Sequence, residues 1–183
     1  MSKKAIVILA DGFEEIEAIS VIDILRRAGI EVTVAGLHDT SIKGSHGITL
    51  IADQNLDDID SDFDACILPG GMPGATHLAN SKKVNSLIQL MHKEQKIIAA
   101  ICASPAVVLA TSGILEGKSA TCYPGMESNF DKHTRFEEDA VVVDGNIVTS
   151  KGVGTAIPFA LAIIEELVGS EGKAKVAKAI LAN

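Results

Sequence analysis

Short apolar runs alternate along the chain with stretches whose apolar residues recur every three or four positions. Residues 5–9, Ala-Ile-Val-Ile-Leu, have the length and continuity of a strand buried on both faces. Over residues 14–28 the helical period places Ala18, Val21, Ile24, Leu25 and Ala28 on one arc. Gly29 stands where a helix commonly ends in a left-handed residue. Further strands are predicted at 31–37, 65–68 and 97–101, and a short one near the sheet edge at 48–51. Helices are predicted over 81–94, from 105 into 111, and over 155–168, where Gly169 is a candidate cap. A short Lys- and Ala-rich helix closes the chain. Runs at 140–143 and 147–149 flank Asp144-Gly145-Asn146, the composition of a hairpin turn.

Strands separated by helices predict an α/β fold, a mostly parallel sheet covered by helices on both faces. In such sheets, ligands meet the carboxyl ends of the strands. The loops after Leu9, Leu68 and Ile101 are therefore the places to look. With 183 residues and no repeat or linker, residues 1–183 are expected to form one domain.

Composition narrows the partners. The chain is 47% apolar, enough for a core that needs neither disulfide nor metal. A net charge of -8 argues against nucleic acid, whose phosphates call for basic clusters. The three cysteines, Cys66, Cys102 and Cys122, are odd in number and lack a zinc-type pair, which fits reduced thiols in the cytoplasm. The amino-terminal apolar run is short and met at once by Asp11, Glu14 and Glu15, so it reads as a strand rather than a secretion signal. No stretch is expected to span a membrane.

Cys102 follows Ile-Ile-Ala-Ala-Ile and precedes Ala-Ser-Pro. A nucleophile elbow needs small neighbours, here Ala100, Ala103 and Ser104, and Pro105 suits a first helical turn. A helix N-terminus favours a thiolate, which predicts a depressed pKa, roughly 3.5–7.5. A buried core cysteine fits the same position. Glu14 and Glu17 fall inside the apolar arc of the first helix, whereas Asp23, Arg26 and Arg27 fall outside it. The helix N-terminus can account for Glu14. Glu17 is deeper, and a carboxyl facing a sheet should be paired or protonated, unless it stays partly solvated. Gly70 and Gly71 close a strand and could bring two N–H donors to an oxyanion, or simply make a turn. Gly152 and Gly154 lack a phosphate-loop frame. None of the five histidines has metal-ligand spacing, Cys66 belongs to a core strand, and Cys122 lies beside Tyr123.

The segments Glu-Glu-Ile-Glu at 14–17, Leu-Pro-Gly-Gly at 68–71 and Ala-Ile-Cys-Ala-Ser-Pro at 100–105 together resemble the ThiJ/PfpI superfamily. The likeness is greatest to its parkinsonism-associated deglycase and glyoxalase III branch, and extends through 26–30 and 150–155. The resemblance implies a flavodoxin-like three-layer sandwich and a homodimer. It assigns Cys102 as nucleophile, Glu17 as the protonated carboxyl beside it, and the N–H groups of Gly71 and Ala103, next to Gly70, as oxyanion donors. Glu14, His46, Tyr123 and Lys151 would line the site. Tyr123 stands where some members carry histidine, which disfavours a cysteine peptidase, and His46 and Lys151 stand where relatives often have arginine.

The activity implied is cofactor-independent, with no metal, on small reactive 2-oxoaldehydes or their early glycation adducts. The alternative is a cysteine-based oxidative-stress sensor or protective chaperone in which Glu17 hydrogen-bonds an oxidised sulfur. Ile16 and Ile19 lie opposite the apolar arc beside Glu15 and Arg26. This predicts a two-fold helix contact with charges pairing across it.

Overall fold

The computed structural model describes residues 2–59 and 62–182. Strands β1 (Lys4–Leu9), β2 (Glu31–Gly36), β5 (Gln54–Asn55), β6 (Ala65–Leu68), β7 (Ile97–Ile101), β10 (Val141–Asp144) and β11 (Ile147–Ser150) make one sheet in the order β10-β11-β7-β6-β1-β2-β5. All neighbours are parallel except β10 and β11. That pair is the predicted hairpin: Asp144 faces Ile147, and Gly145 turns the chain with φ of 63°.

Along the central strands nearly every side chain is buried, and successive ones point to opposite faces. Ala5, Val7 and Leu9 join Ala65, Ile67, Ala99 and Ile101 on one face, under helices α1 (Glu15–Arg27) and α5 (Ala156–Ala179). Ile6 and Ile8 join Cys66, Leu68, Ile98 and Ala100 on the other, under α2 (Gly74–Asn80), α3 (Lys82–Lys93) and the helical segment after Pro105. Both faces being covered explains why these strands read as unbroken apolar runs. The result is the flavodoxin-like three-layer arrangement.

Some expectations are corrected. Residues 48–51 do not join the sheet. Strand β4 (Thr49–Ile51) pairs with β3 (Ser41–Lys43) in a separate antiparallel hairpin, and β5 forms the edge. The segment from Pro105 begins as a wide π turn to Leu109 and becomes an α-turn, α4 (Ala110–Ser112), that ends at Gly113 with φ of 78°. A two-stranded pair, β8 (Ser119–Ala120) with β9 (Arg135–Phe136), was not expected. Residues 153–179 do reach the length of a membrane-crossing helix, with mean hydropathy 1.5. Gly169 breaks that helix at φ of 86°, as its cap position predicted, and Phe159, Ile163 and Ile164 are buried in the core.

The chain moves outward from β1 in two directions, to β2 on one side and later to β6 on the other. This reversal opens a crevice at the carboxyl ends of β1 and β6, the place where α/β sheets bind ligands. The amino terminus of α1 enters that crevice, and Glu14 N donates to Gly70 O across it at 2.9 Å.

Candidate active site

Three elements meet above the crevice. From β7, Cys102 N donates to Ser150 O at 2.9 Å, and Tyr123 N donates to Cys102 O at 2.8 Å. These two bonds hold Cys102 at φ of 65°, a left-handed conformation that non-glycine residues seldom adopt. Strain of this kind, locked by its surroundings, is the mark of a nucleophile elbow. Ser104 Oγ donates to Pro69 O at 2.6 Å and ties the elbow to the loop after β6. Cys102 is half-buried, whereas Cys66 and Cys122 are fully buried.

Glu17 comes from α1 and is 0% exposed. Gly70 N donates to its Oε2 at 2.8 Å, while Oε1 is buried with no hydrogen-bond partner among the described residues. Gly70 therefore positions the carboxyl instead of serving an oxyanion, which corrects one expected role. A Cβ on Gly70 would lie 2.5 Å from Cys102 Cβ and 2.8 Å from Glu17 Oε2, so only glycine fits between the two groups. The N–H groups of Gly71 and Ala103 face the Cys102 sulfur. Gly71 has φ of 88°, and a Cβ there would lie 2.4 Å from Glu14 N.

Burial, first, raises the Glu17 carboxyl to about 7, and the Glu14 charge adds to it; the Gly70 N–H and the Cys102 thiol act the other way. Burial also comes first for Cys102, and with Glu17 it pushes the thiol up to about 12 against the pull of the Gly71 and Ala103 N–H groups. The expected depressed thiol is thus overturned: burial disfavours the thiolate, and an ionised Glu17 beside it would add a second negative charge to a small dry space. Two groups this close favour a single negative charge on the pair over two. Burial pushes Cys66 up to about 12, and burial with Glu127 raises Cys122 to about 11.

The remaining expected residues divide. Tyr123 reaches the site: a Cβ on Gly152 would stand 3.6 Å from its ring and 3.9 Å from Glu17 Oε1. Gly152, which lacks a phosphate-loop frame, lines this space; the sequence signal for it is its place just past β11. Lys151 Nζ donates to Glu138 O at 2.9 Å, which engages the ammonium away from Cys102. Glu14 caps α1, with Oε2 accepting from Glu17 N at 2.8 Å. His46 sits on the β3–β4 turn, with Nδ1 3.0 Å from Glu15 Oε2 and 3.8 Å from Glu14 Oε1. Sequence reasoning missed Glu15. It is buried, accepts from His46 N at 2.7 Å and Ile48 N at 3.3 Å, and is held down to about 2; burial opposes that shift, and the His46 ring and backbone donors outweigh it. Among the described residues no histidine is hydrogen-bonded to Cys102 or Glu17.

Fold and elbow place the chain in the class of flavodoxin-like α/β proteins that present a cysteine at a strand-to-helix turn. It belongs to the DJ-1/PfpI family, which its residues 3–166 match. It is 46% identical to Protein dj-1beta of Drosophila melanogaster over 99% of this chain and 98% of that protein. It is 36% identical to the glutathione-independent glyoxalase DJR-1.2 of Caenorhabditis elegans, over 92% of this chain and 91% of that one. The crystal structure of Drosophila melanogaster DJ-1beta superposes with a TM-score of 0.96 at 45% identity, covering 100% of both chains.

Proposed function

We propose that the chain is a glutathione-independent glyoxalase that converts 2-oxoaldehydes to 2-hydroxy acids. The observation that carries this reading is the Cys102–Glu17 pair: a nucleophile beside a buried carboxyl with a pKa near 7 and one unpartnered oxygen. The name of the Caenorhabditis elegans relative supports it.

With the pair's single proton on Glu17, the Cys102 thiolate adds to the aldehyde carbon. A C–S bond forms, and the carbonyl electrons move to an oxygen held by the Gly71 and Ala103 N–H groups. That oxygen takes the Glu17 proton, giving a hemithioacetal. The Glu17 carboxylate then removes the hydrogen on the former aldehyde carbon as a proton and returns it to the neighbouring carbon, while the hydroxyl proton passes to the second oxygen. The first carbon is oxidised and the second reduced, which leaves a 2-hydroxyacyl thioester. Water adds to it and gives one proton to the Glu17 carboxylate, the C–S bond breaks to restore the thiolate, and the 2-hydroxy acid leaves. The net change is addition of one water, with electrons balanced within the substrate. Early sugar-aldehyde adducts of thiols and amines would use the same groups.

A second reading, an oxidation sensor, is favoured by the similar structure described as oxidised Toxoplasma gondii DJ-1, 41% identical with a TM-score of 0.95. Two N–H donors and a carboxyl around sulfur would serve a sulfinate equally well. A glutathione-free methylglyoxal assay separates the two. Wild type is expected to make lactate and Cys102→Ser to make none; a wild type that makes none would favour the sensor. A cytoplasmic location and a homodimer form part of this proposal, the first because free thiols persist there.

A further inference from the structure

Glu14, Glu15 and His46 lie outside the reaction just described, and each offers a donor atom within 4.8 Å of the others'. We infer that they form a binding site for a single divalent cation of the zinc class.

The argument begins with how the two carboxylates are held. Glu14 Oε2 accepts from Glu17 N at 2.8 Å, which leaves Oε1 with no hydrogen-bond donor among the described residues; His46 Nδ1 stands 3.8 Å from it. The Glu14 side chain is 9% exposed, so this free oxygen belongs to a carboxylate otherwise removed from water. Glu15 gives Oε1 to His46 N and Ile48 N, at 2.7 and 3.3 Å. Its Oε2 turns to Ser45 Oγ at 3.3 Å and His46 Nδ1 at 3.0 Å. Each carboxylate is thus fixed through one oxygen by backbone donors and offers the other to the imidazole. Outer hydrogen bonds that orient ligands in this way are what metal sites use.

Charge and distance agree with a cation. Two adjacent buried carboxylates face one exposed imidazole, and among the described residues no lysine or arginine lies within salt-bridge distance of either. Buried carboxylates need a cation or a full set of donors, and Glu14 Oε1 has only the His46 imidazole, 3.8 Å away. Ligands about 2.0–2.2 Å from a zinc-class ion stand roughly 3–4 Å apart, and the spacings of 3.0 and 3.8 Å at His46 Nδ1 fall in that range. Two oxygens and one imidazole nitrogen suit zinc, cobalt or nickel better than magnesium. The exposed His46 provides the entry path, and water would complete the coordination.

Titration of Zn2+ into the Cys102→Ser protein, followed by calorimetry, tests the assignment without interference from the reactive thiol. One equivalent should bind, and His46→Gln in the same background should weaken binding at least about tenfold. Because His46 is exposed, that variant should fold normally, as the thermal midpoint without metal would verify. Co2+ added in place of Zn2+ should give a visible d–d spectrum that His46→Gln abolishes. Absence of binding to the Cys102→Ser protein would overturn the site. So would Zn2+ affinity that is unchanged in His46→Gln.

Discussion

Two glycines next to the same pair of side chains have opposite roles. A Cβ on Gly70 would press on Cys102 Cβ at 2.5 Å and on Glu17 Oε2 at 2.8 Å, so Gly70→Ala must part nucleophile and carboxyl. A displacement of that size is expected to lower kcat/KM for methylglyoxal by ~10²-fold; a wild-type value would remove Gly70 from positioning. Gly152 is different, because a Cβ there meets its neighbours at 3.6 and 3.9 Å, ordinary contact distances, and its backbone is extended. Gly152→Ala should fold normally yet fill the space beside Glu17 Oε1. Methylglyoxal, with its methyl group, should then suffer more than glyoxal, and an unchanged ratio of the two kcat/KM values would place the methyl group elsewhere. Glu17 links chemistry to stability. Its folded pKa of about 7 lies above the ordinary 4.5, so the folded state binds more protons between these values. Stability from the neutral carboxyl is complete below 4.5 and is lost as pH rises through about 7, by roughly 3 kcal/mol at most. Glu17→Gln stays neutral, so urea unfolding should find it more stable than wild type at pH 8, with that advantage absent at pH 4.5. Its methylglyoxal turnover should fall by ~10²-fold or more. A flat stability difference across that pH range would contradict the burial argument.

At the scale of elements, the β3–β4 hairpin matters more than its size suggests. It stands off the main sheet and is fastened to α1 through Glu15, which accepts from the backbone of His46 and Ile48 and from Ser45 Oγ. Glu15→Ala would leave those donors unpaired and should cost about 2 kcal/mol or more. Hydrogen exchange should quicken in residues 41–51 before the central strands; uniform quickening would show that the hairpin is not a separate unit. Helix α2 was hidden in the sequence for a local reason. It follows Pro69, Gly70, Gly71 and Pro73, which read as loop, and it begins with no side-chain cap. Helix α1 was legible because its apolar arc, Glu14 cap and Gly29 stop all agree. The same arc could not show that Glu15 is buried, since the hairpin that covers it lies about thirty residues away.

For the whole molecule, Ile16 and Ile19 remain 53% and 43% exposed on α1, and Ile157 of α5, the helix packed against α1, is exposed as well. Exposed apolar side chains on these two packed helices favour a two-fold contact between copies. The contact cannot use Glu15 for pairing across it, as the sequence suggested, because Glu15 is buried within its own chain. Light scattering at micromolar concentration should find a dimer, and Ile16→Glu with Ile19→Glu should yield monomers; a monomeric wild type would overturn it. The sequence by itself determined the alternation of strands and helices, the two-faced burial of β1, β6 and β7, and the strand-to-helix turn at Cys102 that suits an elbow. Those properties follow from local periodicity and from residue sizes near one another in the chain. Only the tertiary structure decided that Glu17 meets Gly70, fifty-three residues later, and that Glu14 and Glu15 share a face with His46. Nor could the sequence say that the Cys102 thiol is raised instead of depressed. Desolvation and charge depend on every atom around a group, and the atoms that surround these carboxyls come from distant parts of the chain.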